Sequence, residues 1–313
     1  MPKLPWEDQF MASIPALVSA GMPEERARAL LQDYILLARQ SALPPVLDFE
    51  NHPELALSSS PYLPRDEEIH DLMLEIVTPL LNRYAVTGLS SFERVIPHLT
   101  TCGVTIVSNH LSFFDAAVIY VLLYREPRLK ALAENSFFIA GRLVFTSDYS
   151  RVAGRMFNSM LVASPRDMAE NEPIKRELAR LNIRSFKEAK ERQRQGQVLI
   201  LYPEGTRSRD GRMGRFHSAL YNYLEGTVVL PVAITGADKI LHANSFTFEL
   251  TDGSMTLATP VFVGPAAGAP QGVEHLDAEI YPKESRKQDA MDAIGRRLAS
   301  LLPEAMRGVY SEI

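Results

Sequence analysis

The chain has 313 residues, 46% hydrophobic and 23% charged, with a net charge of −5, values that exclude both a disordered chain and a helical bundle embedded in a bilayer. The apolar run Ala116–Tyr124 falls far short of the roughly 20 residues that a membrane-spanning helix needs. Cys102 is the single cysteine, which excludes an internal disulfide and points to a reducing, cytoplasmic setting; the seven histidines show no metal-ligand spacing, so neither a metal nor a cofactor is expected.

Residues 1–8 place no charged segment ahead of an apolar stretch, so no secretion signal is expected. From there the chain reads as helical, and residues 1–85 are expected to form a smaller N-terminal helical domain. Pro23 stands at a helix start, after which Ala27, Leu30, Leu31, Tyr34 and Leu37 recur on one face. Residues 43–64 carry five prolines and the run Ser58–Ser60, the composition of an irregular crossing or linker. Asp66 can cap a second helix, whose stripe of Ile69, Leu72, Met73, Ile76, Val77, Leu80, Leu81 and Tyr84 reads as core, with a kink expected at Pro79.

Charge is unevenly spread. Residues 1–100 hold 7 Lys and Arg against 14 Asp and Glu, whereas residues 174–194 hold 8 Lys and Arg against 3 Glu. That basic stretch reads either as a solvated helix face or as a docking surface for an acidic carrier protein or anionic lipid headgroups. Aromatic residues do not interleave with the basic ones in a stacking pattern, so nucleic acid is not an expected partner.

From about residue 87 strands and helices alternate. Strands are expected at 104–108, 198–202, 228–234, 246–250 and 255–263, with helices from about Ser112 to Tyr124, through the basic stretch, and at 284–302. Pro231 fits the third strand only where its missing amide faces no ladder. This alternation predicts an α/β fold, with a mostly parallel central sheet flanked by helices, over a catalytic domain at residues 86–313.

Two segments carry chemistry. His110 and Asp115 are five positions apart, which on a regular helix points them roughly 140° away from each other. They can meet only if His110 lies in the loop leaving the strand and Asp115 in the first turn of the helix. An aspartate bonded to one ring nitrogen fixes the tautomer and leaves the other nitrogen free to act as a general base. Ser112 is a poor nucleophile candidate two residues from His110, and Cys102 reads as an inert residue before the strand. The second segment, Pro203–Arg209, follows a strand, where an α/β fold places its binding loops. Gly205 permits close backbone approach, Thr206 and Ser208 offer hydroxyls, and Arg207 and Arg209 bring forked donors that match phosphate oxygens. Glu204 would repel an anion and is expected to brace the loop or orient an arginine.

Asn109-His110-x4-Asp115, then Glu204–Ser208, then Leu230–Ile234 resemble the successive blocks of the glycerophospholipid acyltransferase superfamily. The helical segment ahead of them, with Ala140-Gly141, Asn158–Met168 and Arg184–Glu188 in the same order, is most similar to the soluble, plastid-type glycerol-3-phosphate 1-O-acyltransferases. The resemblance covers roughly residues 80–300. It implies that His110 is the base and Asp115 its partner, that Arg207 and Arg209 bind the acceptor's phosphate, and that Glu204, Gly205 and Thr206 support the loop. It also implies a part for Arg166 at the phosphate, here within Pro165-Arg166-Asp167 and without the neighbouring lysine and histidine of the soluble enzymes. The implied reaction moves a fatty acyl group from acyl-CoA or acyl carrier protein to the sn-1 hydroxyl of glycerol 3-phosphate. Because the loop keeps the Glu-Gly-Thr-Arg form of lysophosphatidate acyltransferases, sn-2 acylation of lysophosphatidate is the alternative. A non-catalytic binder of phospholipid or acyl carrier is a further one, against which the His110/Asp115 pair argues. Peripheral association with the inner membrane face is compatible with all three.

Overall fold

A computed structural model describes residues 5–49 and 51–312; residues 1–4 of the segment read for a secretion signal, and Glu50 of the proline-rich crossing, lie outside them. The chain divides into two units, Met1–Asn82 with Phe137–Ala189 and Asn244–Leu250, and Arg83–Ser136 with Lys190–Ala243 and Thr251–Ile313. Both units are discontinuous in sequence, the chain crossing between them after Asn82, Ser136, Ala189, Ala243 and Leu250.

In the first unit, the helix Glu24–Gln40 starts at Pro23 and buries Ala27, Leu30, Leu31 and Tyr34. The helix Glu67–Leu80 is capped by Asp66, whose carboxylate accepts the Ile69 amide at 3.2 Å. Pro79, the expected site of a kink, stands in the last turn of this helix, which ends at Leu80. The proline-rich crossing is folded. It forms a 3-10 turn at Pro45–Leu47, a helix at Pro53–Ser58 and a short strand at Tyr62–Leu63 that runs antiparallel to Ser159–Val162. Val46, Leu47, Phe49 and Ala56 are buried with Leu161, Leu178 and Leu181 in one apolar cluster, which explains why these residues do not behave as a linker. The basic stretch is the helix Lys175–Arg194. The expected strand at 246–250 is absent, because its backbone is engaged elsewhere: the Phe246 amide donates to the Gln9 side-chain carbonyl and the Phe248 amide to the Ser13 hydroxyl.

The second unit is built on a mostly parallel sheet. Val104–Ser108, buried along its whole length, lies between Val198–Leu201 and Val228–Thr235 and runs parallel to both. The opposite edge of Val228–Thr235 meets Gly253–Leu257 and Val261–Val263, both antiparallel. These in turn pair in parallel with Tyr84–Thr87 and Glu274–Leu276. The single strand expected at 255–263 is therefore two, broken at Ala258–Pro260. That break accommodates Pro231. It falls between Val229, which pairs with Val261, and Val232, which pairs with Leu257, where no ladder partner stands opposite a missing amide. The helices Asp115–Arg125 and Lys130–Glu134 pack together, and Arg286–Ala299 packs against Val228–Thr235. Because Val104–Ser108 and Val198–Leu201 run parallel, the loops that follow them leave the sheet at the same end, where α/β folds place their sites.

Candidate active site

The strand Val104–Ser108 ends one residue before a buried clip. The Asn109 side chain donates to the Ile234 carbonyl at 3.0 Å and accepts the Ile234 amide at 2.9 Å, occupying the backbone groups of the neighbouring strand. The chain then leaves the sheet at His110 and re-enters regular structure with Asp115, the first residue of its helix. His110 Nδ1 lies 2.7 Å from Asp115 Oδ2, and the same oxygen accepts the amides of Leu111 at 2.6 Å and Ser112 at 2.9 Å. The Asp115 side chain has no exposed surface, and burial raises its pKa while the three N–H groups pull it back. With the carboxylate ionised, Nδ1 carries the hydrogen and Nε2 is left free to accept a proton. Ser112 is occupied as a turn residue: its hydroxyl accepts the Phe114 amide and donates to the Leu241 carbonyl. Cys102 precedes the strand that His110 follows, and burial pushes its thiol up, so the two do not form a thiol–imidazole pair.

Glu204 joins this loop to the arginine loop. Its side chain is buried; Oε1 accepts the His110 amide at 2.8 Å and Oε2 accepts the Gly214 amide at 2.7 Å. The Ser208 amide donates to the His110 carbonyl at 2.7 Å, closing the ring of contacts. Burial raises the Glu204 carboxyl pKa, against the opposing effect of the two amides. Gly205 makes the turn possible, with φ +69°, its amide bonded to the Tyr202 carbonyl, and a Cβ position only 3.0 Å from the His217 ring. The Tyr202 ring stacks on the His110 imidazole, centroids 4.3 Å apart and planes 15° apart, while its buried hydroxyl has no hydrogen-bond partner among the described residues. Tyr202 could be seen in the sequence as the residue before Pro203, but nothing in the spacing pointed to a stack.

Substituting Glu204→Ala orphans two amides at once, at about 1–3 kcal/mol for each buried group. The expected result is a lowered unfolding midpoint together with a fall in kcat and a rise in acceptor KM, whereas Glu204→Gln, which keeps one acceptor oxygen, is milder on all three. Alanine kinetics equal to those of the unaltered protein would remove Glu204 from the site.

Beyond Glu204 the loop lines an open depression of about 720 Å³, to which Thr206, Arg207, Ser208, Arg209, Arg212, Arg215 and His217 contribute. Among the described residues Arg207, Arg209 and Arg212 are exposed and have no carboxylate at ion-pair distance. Asp210 instead accepts the Arg212 amide and the Ser208 hydroxyl, holding the turn. Arg215 is committed to Asp292 at 2.6 Å. Arg212 and His217 were not singled out from sequence; their only signal was position within the same polar turn. Arg166 lies in the first unit, exposed and paired with Glu170 at 2.7 Å, while His110, Asp115, Glu204, Gly205, Thr206, Arg207 and Arg209 all lie in the second. No group of three His, Cys, Asp or Glu among the described residues is placed to hold a metal ion.

A half-buried imidazole on a buried carboxylate is thus tied through one glutamate to a loop that presents exposed arginines, an arrangement of base and cationic loop suited to group transfer. Residues 85–235 match the family model described as Acyltransferase. A chloroplastic 1-acyl-sn-glycerol-3-phosphate acyltransferase of Brassica napus is 29% identical over 161 residues, covering 51% of this chain and 40% of its own. A chloroplastic glycerol-3-phosphate acyltransferase of Pisum sativum is 34% identical over 108 residues, covering 34% of this chain and 23% of its own. The chain thus spans less than half the length of these relatives. The crystal structure of a 1-acyl-sn-glycerophosphate acyltransferase, PlsC, from Thermotoga maritima superposes with a TM-score of 0.45 at 18% identity, covering 94% of this chain and 97% of that one. Among the described residues no helix is long and apolar enough to cross a membrane.

Proposed function

We propose that this protein transfers a fatty acyl group from a thioester to the sn-1 hydroxyl of glycerol 3-phosphate. The observation that carries the proposal is the pair of hydrogen bonds that Glu204 accepts, from the His110 amide and the Gly214 amide, which makes the base and the arginine loop one body. An acceptor whose phosphate sits on Arg207 and Arg209 has its hydroxyl a few bonds away, within reach of His110, so phosphate binding positions the reacting oxygen. His110 Nε2 takes the hydroxyl proton as the oxygen attacks the thioester carbonyl. Asp115 steadies the imidazolium. The tetrahedral intermediate collapses by breaking the carbon–sulfur bond, and the proton on Nε2 passes to the departing thiolate. No covalent acyl-enzyme is involved.

The donor is acyl-CoA or acyl carrier protein, and the setting is cytoplasmic with peripheral attachment to the inner membrane face. The name of the Pisum sativum relative supports the glycerol 3-phosphate reading. The longer match to the Brassica napus relative favours a second one, acylation of lysophosphatidate at sn-2. Thioester consumption by the purified chain with both donors and both acceptors separates them: turnover with lysophosphatidate alone overturns the first reading, and phosphate binding without thioester consumption overturns both.

Arg207→Lys and Arg209→Lys keep the charge and lose the fork. Each is expected to raise the acceptor KM about tenfold, the scale of one charge-assisted hydrogen bond, without moving the donor KM. An unchanged acceptor KM in both variants assigns the phosphate elsewhere.

A further inference from the structure

The depression has a wall that comes from far along the chain. Gly308 and Val309 line it beside the arginine loop, and they belong to a strap that follows the helix Arg286–Ala299. This strap and the helix before it hold three of the four residues that end the loop. The Met213 amide donates to the Met306 carbonyl at 2.9 Å, and the Met213 carbonyl accepts the Val309 amide at 3.3 Å. Arg215 is held by Asp292. The Phe216 amide donates to the Tyr310 hydroxyl at 3.0 Å, and that hydroxyl donates to Asp292 Oδ1 at 3.0 Å. The Phe216 carbonyl accepts the Gln288 side-chain amide at 2.9 Å. The fourth residue, Gly214, is the one that Glu204 holds.

Two glycines make room for this arrangement. Gly308 has φ +55°, and a Cβ there would stand 2.0 Å from the Met213 carbonyl oxygen. A Cβ at Gly295 would stand 2.4 Å from the Tyr310 ring, so that ring lies directly on the helix. Arg207, Arg209 and Arg212 are thus carried on a span anchored at one end by Glu204 and at the other by the strap. Exposed arginines have large rotamer freedom, and fixing the backbone that carries them reduces what an anion must order.

We infer that the strap Arg307–Tyr310 is a positioning wall of the acceptor site, with Tyr310 as the residue that sets the arginine loop for its phosphate. This rests on the phosphate-directed reading of the site and adds to it a determinant of acceptor affinity that neither motif contains. Tyr310 touches no substrate; it acts through Phe216 and Asp292.

The test compares the full chain with Tyr310→Phe, which keeps the ring and removes the hydroxyl, and with Gly308→Ala. Measured are acceptor KM, donor KM, kcat, the unfolding midpoint and the Kd of inorganic phosphate. The expected result for Tyr310→Phe is a rise of about two- to tenfold in acceptor KM and phosphate Kd together, the scale of one lost hydrogen bond, at unchanged donor KM. Gly308→Ala is expected to exceed it in the same two quantities. Unchanged acceptor KM and phosphate Kd in Tyr310→Phe overturn the inference. So does an equal rise in both KM values with a fallen midpoint, which marks a merely structural role. If the unaltered protein binds phosphate yet turns over neither acceptor, the proposed function fails, and the phosphate Kd of Tyr310→Phe alone decides the strap. If the unaltered protein does not bind phosphate, the inference falls.

Discussion

Replacing His110 by alanine is expected to lower kcat by about 10²–10⁴-fold, the range for losing a general base, with little change in acceptor KM or in the unfolding midpoint. The reason lies in how His110 is attached. Its amide donates to Glu204 and its carbonyl accepts from Ser208, so the ties to the arginine loop are backbone ties that survive loss of the ring. The ring itself is 21% exposed, and truncating it leaves Asp115 Oδ2 with the Leu111 and Ser112 amides still bonded. The substitution therefore removes proton transfer and the Tyr202 stack while sparing the phosphate site. Initial rates over a range of acceptor concentration, beside a thermal melt, give the answer. Turnover close to that of the unaltered protein removes His110 as the base; a large rise in acceptor KM instead makes the ring part of acceptor binding.

What could be read in the sequence was local. The strand at Val104–Ser108 announces itself by its run of β-branched residues, Val104 to Val107, and the five-residue spacing of His110 and Asp115 makes sense only across a strand-to-helix junction, which is where both stand. Asp66 as a cap and Pro231 at a gap in the ladder follow from the chemistry of single residues. What could not be read was long-range. The Asn109 clip reaches 125 residues along the chain, and the bond from Glu204 to His110 reaches 94. Nothing in local composition encodes such partners. Residues 246–250 alternate as a strand does, yet their donors go to Gln9 and Ser13, because alternation says nothing about which neighbour is available. The proline-rich crossing looked like a linker because of its five prolines and its serine run, and only the shared cluster of Val46, Leu47, Phe49 and Ala56 with Leu178 and Leu181 shows that its apolar residues are core.

Substituting Asp115→Asn separates function from stability. Activity is expected to fall about 10³–10⁴-fold, the scale for losing the carboxylate of an imidazole–carboxylate pair, because no charge remains to stabilise the imidazolium. Stability at neutral pH is expected to hold or rise. Burial holds the Asp115 pKa above its usual value, so the folded protein keeps this proton more readily than the unfolded chain does. For a carboxyl shifted in that direction, stability is fully present below the unfolded value near 3.9 and is lost as pH rises through the folded value. The ionised side chain is thus a net cost to folding at neutral pH. Asparagine removes that cost and keeps an oxygen for the Leu111 and Ser112 amides. Glu204 is shifted in the same direction, mainly by its own burial and in smaller part by the charge of Asp115, so the difference between the two unfolding free energies reads Asp115 together with the relief it gives Glu204. Chemical denaturation at about pH 4 and pH 8 should show the asparagine variant gaining on the unaltered protein at the higher pH. A variant clearly weaker at pH 8 means that the pair with His110 outweighs the burial of the carboxylate, and near-normal turnover means that Asp115 does not serve the base at all.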